Sequence, residues 1–276
     1  DMTLFQCYTS KDLIHWSEPV VVFHGKDGWG NNEYMSPNVI CKDGLFYMFY
    51  ASHTAPDPVT GKREAHVAFA SSASPLGPFK SATMQPLHTD VQEIGGHPFL
   101  DTDGRTYLTV VRFNKGNEIW AYEVKMENGV VTPLDDTLVR LLVPTEPWEC
   151  DYARIVEGGV ILKHKGLYYM IYAGSHYKGD YGEGVAIAEK PLGPYRKYKY
   201  NPILRATAFT RGTGDSVYTR TADGRYIMFY HQHFSTTEIS PRHICYDAMK
   251  FVETGDGSPD VIVVHGPTTA PQEPLL

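Results

Sequence analysis

Apolar and polar residues along this chain alternate in short runs, and a three-to-four-residue helical spacing is nowhere sustained. Four segments share one pattern: an apolar run, a turn closing on glycine, and a second run rich in aromatics. They read SPNVICKDGLFYMFYAS, GHPFLDTDGRTYLTVVR, GGVILKHKGLYYMIYAG and DSVYTRTADGRYIMFYHQ. The turn glycines are Gly44, Gly104, Gly166 and Gly224, separated by 60, 62 and 58 residues. Asp-Gly between two β-rich runs signals a hairpin, because glycine reaches positive φ at little steric cost. A period of this size marks a stacked or radial repeat. A second echo supports it: SPLGPF (Ser74 to Phe79) and KPLGPY (Lys190 to Tyr195) lie two periods apart, and SKDLIHW (Ser10 to Trp16) stands where a third copy would fall.

Each repeat therefore predicts a hairpin, a third strand, a polar turn and a fourth strand, which is one propeller blade. Trp16 has no turn glycine at the matching distance, because that position falls before residue 1. Four units and this remnant predict an all-β, five-bladed β-propeller, a single domain over 1–276. Its incomplete first blade lacks the innermost hairpin. Such a blade would expose an unpaired strand edge, and a homo-oligomer would cover it.

Composition narrows the partners. The 276 residues carry a formal charge of −7 with no basic run, which argues against nucleic acid and acidic lipid. No apolar run reaches the roughly eighteen residues of a membrane span. The chain shows no signal peptide, and its compartment stays open. Nineteen Tyr, twelve Phe and four Trp suit strands and surfaces that stack on sugar rings. Cys7, Cys41, Cys150 and Cys245 are scattered and read as small hydrophobes rather than a zinc site or disulfide framework.

Candidate chemistry comes from the inner strands, whose starts would project toward a shared pocket on the propeller axis. Nine residues before each turn glycine stand Met35, Gly95, Glu157 and Asp215. Two carboxylates there fit glycosidic bond cleavage, one protonating the leaving oxygen and one activating water. They equally fit strand ends bonded to loop amides. Trp29 and Tyr34 in DGWGNNEYMSPN, and Trp148 in PTEPWECDY, are candidate sugar-binding rim residues.

The stretch EGGVILKHKGLYYMIYAG resembles the general-acid strand of glycoside hydrolase family 43. SKDLIHW, SPLGPF, PLGPYRKYKYNPIL, GTGDSVYTRTADG, FYHQHF, PRHICYDAMKF and VVHGPTTAPQ resemble that family's landmarks in the same order. The resemblance implies a five-bladed propeller. It also implies an inverting hydrolase that removes α-L-arabinofuranosyl or β-D-xylosyl units from plant cell-wall saccharides. It makes Glu157 the general acid, Arg242 a substrate-pocket residue and His231 its neighbour on the rim. No cofactor is required, and a structural calcium on the axis is compatible with the resemblance. Three departures accompany it. The family's base Asp belongs to the missing first strand, Gly95 stands in place of an acid-tuning Asp, and Asp215 replaces a histidine. The rival expectation is a carbohydrate-binding propeller with impaired catalysis.

Overall fold

The structure, a computed structural model, describes residues 3–270. Pro271 and Gln272, at the end of the last landmark, lie outside the described residues. Among the described residues all regular structure is β apart from two short 3-10 turns. Among the described residues the strands form five antiparallel sheets, and the fold is a β-propeller with three four-stranded blades, one three-stranded blade and a small two-stranded one.

β1 (Leu4–Cys7) pairs with β2 (Val20–His24) as the incomplete first blade. β3 (Asn32–Lys42), β4 (Leu45–His53) and β5 (Ala65–Ser72) form the second sheet. Its expected fourth strand is reduced to two isolated bridges, Ala68 to Pro86 and Ser71 to Lys80. Pro78 and Pro86 flank this segment and supply no amide donor for a ladder. β6 (Glu93–Leu100), β7 (Thr106–Phe113), β8 (Asn117–Glu127) and β9 (Val130–Leu142) form the third sheet. β10 (Val156–His164), β11 (Leu167–Gly174), β12 (Gly182–Ala188) and β13 (Arg196–Lys197) form the fourth. β14 (Gly214–Arg220), β15 (Tyr226–Gln232), β16 (His243–Val252) and β17 (Val261–Val264) form the fifth.

The described residues fall into two compact units. One comprises residues 3–11, 15–114 and 118–141; the other comprises 12–14, 115–117 and 142–270. In the first, Tyr47, Phe49, Val67 and Phe69 pack against Leu108, Val110, Tyr122 and Met126. In the second, Tyr169, Ile171 and Val185 pack against Met228, Tyr230 and Ile262. Both layers are sheet on sheet and follow from the alternation of the central strands. All four cysteines are free thiols. Among the described residues, no helix is long and apolar enough to cross a membrane.

The inner hairpins use two kinds of turn. Asp43-Gly44 and Lys165-Gly166 are two-residue turns with both residues at positive φ. Residues 101–105 and 221–225 are five-residue connections instead. Each inner strand also bulges near its start, and the first bulged residue takes positive φ: Ser36, Gly95, Gly158 and Asp215. Counting nine residues back from the turn glycine therefore misaligns the strands. Glu157 and Met35 are the last paired residues before their bulges, whereas Gly95 and Asp215 sit on theirs. Asp215 is the counterpart of Gly158 and Gly95, and the counterpart of Glu157 is Gly214. The unequal turns make the difference of one residue.

Candidate active site

In the fourth sheet β10 starts, β11 ends and β12 starts at one edge, so the loops before β10 and after β11 gather there. Glu157 pairs with Ala173, which pairs in turn with Glu183. Directly paired residues share a face of an antiparallel sheet, so both carboxyl groups lie on one side.

Glu157 is half-buried, with both carboxyl oxygens engaged. Oε1 accepts a hydrogen bond from the Tyr181 hydroxyl at 2.7 Å, and Oε2 accepts one from Asn117 Nδ2 at 2.8 Å. Burial pushes its pKa from 4.5 up to about 7, and the charge of Asp215 adds to the rise. The bonds from Tyr181 and Asn117 oppose it by stabilising the carboxylate. An acid with these properties holds a proton close to neutrality and can release it.

Asp215 is exposed, at φ 56 on the β14 bulge. Its Oδ1 lies 3.1 Å from where a Cβ on Gly158 would stand, and Gly158 itself takes φ +63. Glycine there lets Asp215 come up against the strand that carries Glu157. Beneath it, Glu183 is fully buried and accepts the Ser216 amide at 3.0 Å. Burial, then the Asp215 charge, hold Glu183 well above the usual carboxylate range. Ser216 is the second residue of the bulge, so Glu183 pins the turn that presents Asp215.

His231 stacks on Tyr181, with ring centroids 5.6 Å apart. Burial, reinforced by the Arg242 charge, depresses its pKa to about 4. The imidazole is therefore neutral at working pH, and its Nε2 accepts from Arg242 Nη1 at 2.8 Å. Glu157, Asp215, His231 and Arg242 thus come together in the second unit.

The other sequence candidates are placed differently. Trp148 covers Gly174 and Gly184, where an added Cβ would stand 2.2 and 2.8 Å from the indole, and it lies beside Tyr172. These residues face the side of the sheet opposite Ala173 and Glu157, so Trp148 packs on that side and remains half-buried there. Tyr34 departs from the rim: it is only 6% exposed, in an aromatic core with Phe23 and Tyr50. Its hydroxyl is spent on the carbonyls of Gly25 and Gly30. Trp29, in the same first unit, is half-buried with its ring edge-on to His66.

Calcium takes about 6–8 oxygen ligands. Among the described residues no group of three or more His, Cys, Asp or Glu side chains is placed to hold a metal ion.

Sequence reasoning missed Asn117, Tyr181 and Glu183. A signal was present: in a four-stranded antiparallel blade the third strand starts at the same edge as the first. Tyr181 and Glu183 stand at the start of β12, and Asn117 opens β8.

Comparison with known proteins bears on this site. The family described as Glycosyl hydrolases family 43 matches residues 1–259. The chain is similar to a thermostable family-43 glycoside hydrolase of known structure, at 30% identity and TM-score 0.83, covering 99% of this chain and 88% of that one. It is similar to an endo-1,4-β-xylanase from Bacteroides thetaiotaomicron at 29% identity and TM-score 0.82, covering 95% and 85%. A β-D-galactofuranosidase from Aspergillus niger is 25% identical over 287 residues, covering 96% of this chain and 77% of that protein.

Proposed function

Since the chain belongs to glycoside hydrolase family 43, we propose that it removes terminal α-L-arabinofuranosyl or β-D-xylosyl units from plant cell-wall poly- or oligosaccharides, with inversion. Glu157 is the proton donor in this reading. The observation that carries it is the half-buried Glu157 carboxyl, held by Tyr181 and Asn117 and raised to about 7. In the reaction Glu157 passes its proton to the glycosidic oxygen as the C–O bond breaks. Water adds to the anomeric carbon from the opposite face and loses a proton to a base. The relatives' names support a five-membered or xylose-type sugar, since one is a furanosidase and another a xylanase.

Asp215 has the environment of a tuning charge rather than of the base. It stands against Gly158, next to the acid, and an inverting base needs about 6.5–9.5 Å across the sugar from the acid. It also occupies in its own strand the bulge place that Gly95 occupies in β6. The family resemblance puts the tuning carboxylate at that Gly95 place, so Asp215 supplies the same charge from another strand. His231 and Arg242 offer a neutral ring and a guanidinium to sugar hydroxyls.

The test is turnover of aryl α-L-arabinofuranoside and aryl β-D-xyloside by wild type and by Glu157→Gln. The variant should lose about 100-fold or more in kcat with the fold intact by circular dichroism. Equal turnover by the two proteins would remove Glu157 from the chemistry. The rival reading, a binding propeller without catalysis, draws on Gly95. It predicts calorimetric binding of arabino- or xylo-oligosaccharide by wild type with no sugar released.

A further inference from the structure

A column of stacked rings leads outward from the acid, and none of its outer members was among the sequence candidates. Tyr181 holds Glu157, His231 stacks on Tyr181, and Arg242 is bonded to His231. The Arg242 guanidinium lies 5.4 Å from the ring centre of Tyr177. His176 stacks on Tyr177 at 4.6 Å and 26°, and Tyr152 stacks on His176 at 5.2 Å and 28°. Tyr152 belongs to the loop before β10 and His176 to the loop after β11, so both stand at the sheet edge where Glu157 sits.

The column is braced along its length. The Tyr177 carbonyl is bonded to His233 Nε2 at 2.6 Å, and His176 Nδ1 accepts the Lys178 amide at 3.1 Å. The Tyr152 amide donates to Ser175 Oγ at 3.4 Å, while the Ser175 amide donates to the Ile155 carbonyl. Tyr152 nonetheless remains 61% exposed. His176 stacks on the ring and Gly179 packs against its Cβ, Cγ and Cδ2, so that exposure belongs to the rest of the ring, which is left open. An isolated exposed tyrosine is ordinary. This one ends a series of stacked and bonded side chains that starts at Glu157, and its stacking on His176 restricts the ring before a ligand arrives.

We propose that the open ring surface of Tyr152 is a stacking platform for a neutral sugar ring on the leaving-group side of the cleaved bond. This rests on the glycosidase reading above. The leaving oxygen must reach Glu157, and the column carries the rest of that saccharide chain away from it. An apolar aromatic plane suits the C–H face of a furanose or pyranose, and Arg242 lies further in to meet its hydroxyls.

The experiment compares Tyr152→Ala and Tyr152→Phe with wild type on an arabino- or xylo-oligosaccharide of about five units and on the aryl glycoside of the same sugar. The ratio of kcat/KM for oligosaccharide over aryl glycoside should fall about five- to tenfold in Tyr152→Ala, through KM, and return in Tyr152→Phe. An unchanged ratio overturns the platform. Calorimetry with the same oligosaccharide in a Glu157→Gln background reads binding without turnover. Kd should rise about five- to tenfold when Tyr152→Ala is added, and equal Kd values, or no binding by either protein, overturn the proposal. A Kd rise in a protein whose wild type cleaves no aryl glycoside would keep the platform and sink the glycosidase reading instead.

Discussion

At the scale of single residues, the site balances two opposing effects on one proton. Burial and the Asp215 charge push Glu157 up, while Tyr181 and Asn117 pull it down. A general acid works only while protonated, so kcat/KM should fall as pH rises through about 7. Asp215→Asn removes a negative charge, lowers the Glu157 pKa and moves that limb toward acid. Tyr181→Phe removes a donor to the carboxylate and moves the limb the other way. Opposite displacements in pH–rate profiles are the check; a shared direction would break the assignment. The same shift is a statement about stability. The folded pKa lies above the unfolded 4.5, so the contribution is fully present below that value and is lost as pH rises through about 7. Glu157→Gln escapes this loss. It should match wild type near pH 4 and exceed it by about 1–3 kcal/mol at pH 8 in urea unfolding, with Asn117 turning its amide to suit the new side chain.

At the scale of strands, close packing decides what each position tolerates. Gly174 closes β11 with the Trp148 ring over it, and a Cβ there would stand 2.2 Å from Cζ3. Gly174→Ala should therefore cost about 1–3 kcal/mol as overpacking, and Trp148→Leu should recover part of that in the double variant. Additive losses in urea melts would mean that the two side chains do not meet. The same region shows what the sequence could convey. Paired hairpins and their period were legible because Gly44, Gly104, Gly166 and Gly224 each mark a turn that needs positive φ. Glu157 was legible because its turn, Lys165-Gly166, is the short kind. Asp215 was assigned to the wrong register because a five-residue connection and a bulge both alter the count, and neither shows in apolar periodicity. The packing of Trp148 is hidden from the sequence for a related reason. The two glycines that admit the indole lie on β11 and β12, beyond the reach of local pattern. Tyr152, four residues later in the same loop, carries no sequence signal, because its partner His176 comes from the loop after β11.

At the scale of the whole molecule, the net charge makes a kinetic prediction. The chain carries a formal −7, distributed without a basic run. A neutral saccharide gains nothing from that field, whereas a polyanion is repelled by it and a cation steered toward it. Screening lengths shorten from about 30 Å at 0.01 M salt to about 3 Å at 1 M, so a charged substrate would reveal itself across that range. With arabinofuranosyl or xylosyl substrates, kcat/KM should vary by no more than about twofold between those limits. The Glu157–Asp215 coupling is itself short-ranged, with one partner half-buried, and so is little exposed to salt. The alkaline limb of the pH profile should then hold its place as salt is added. A tenfold fall in kcat/KM at high salt, with that limb unmoved, would point to a cationic substrate and away from neutral hemicellulose chains.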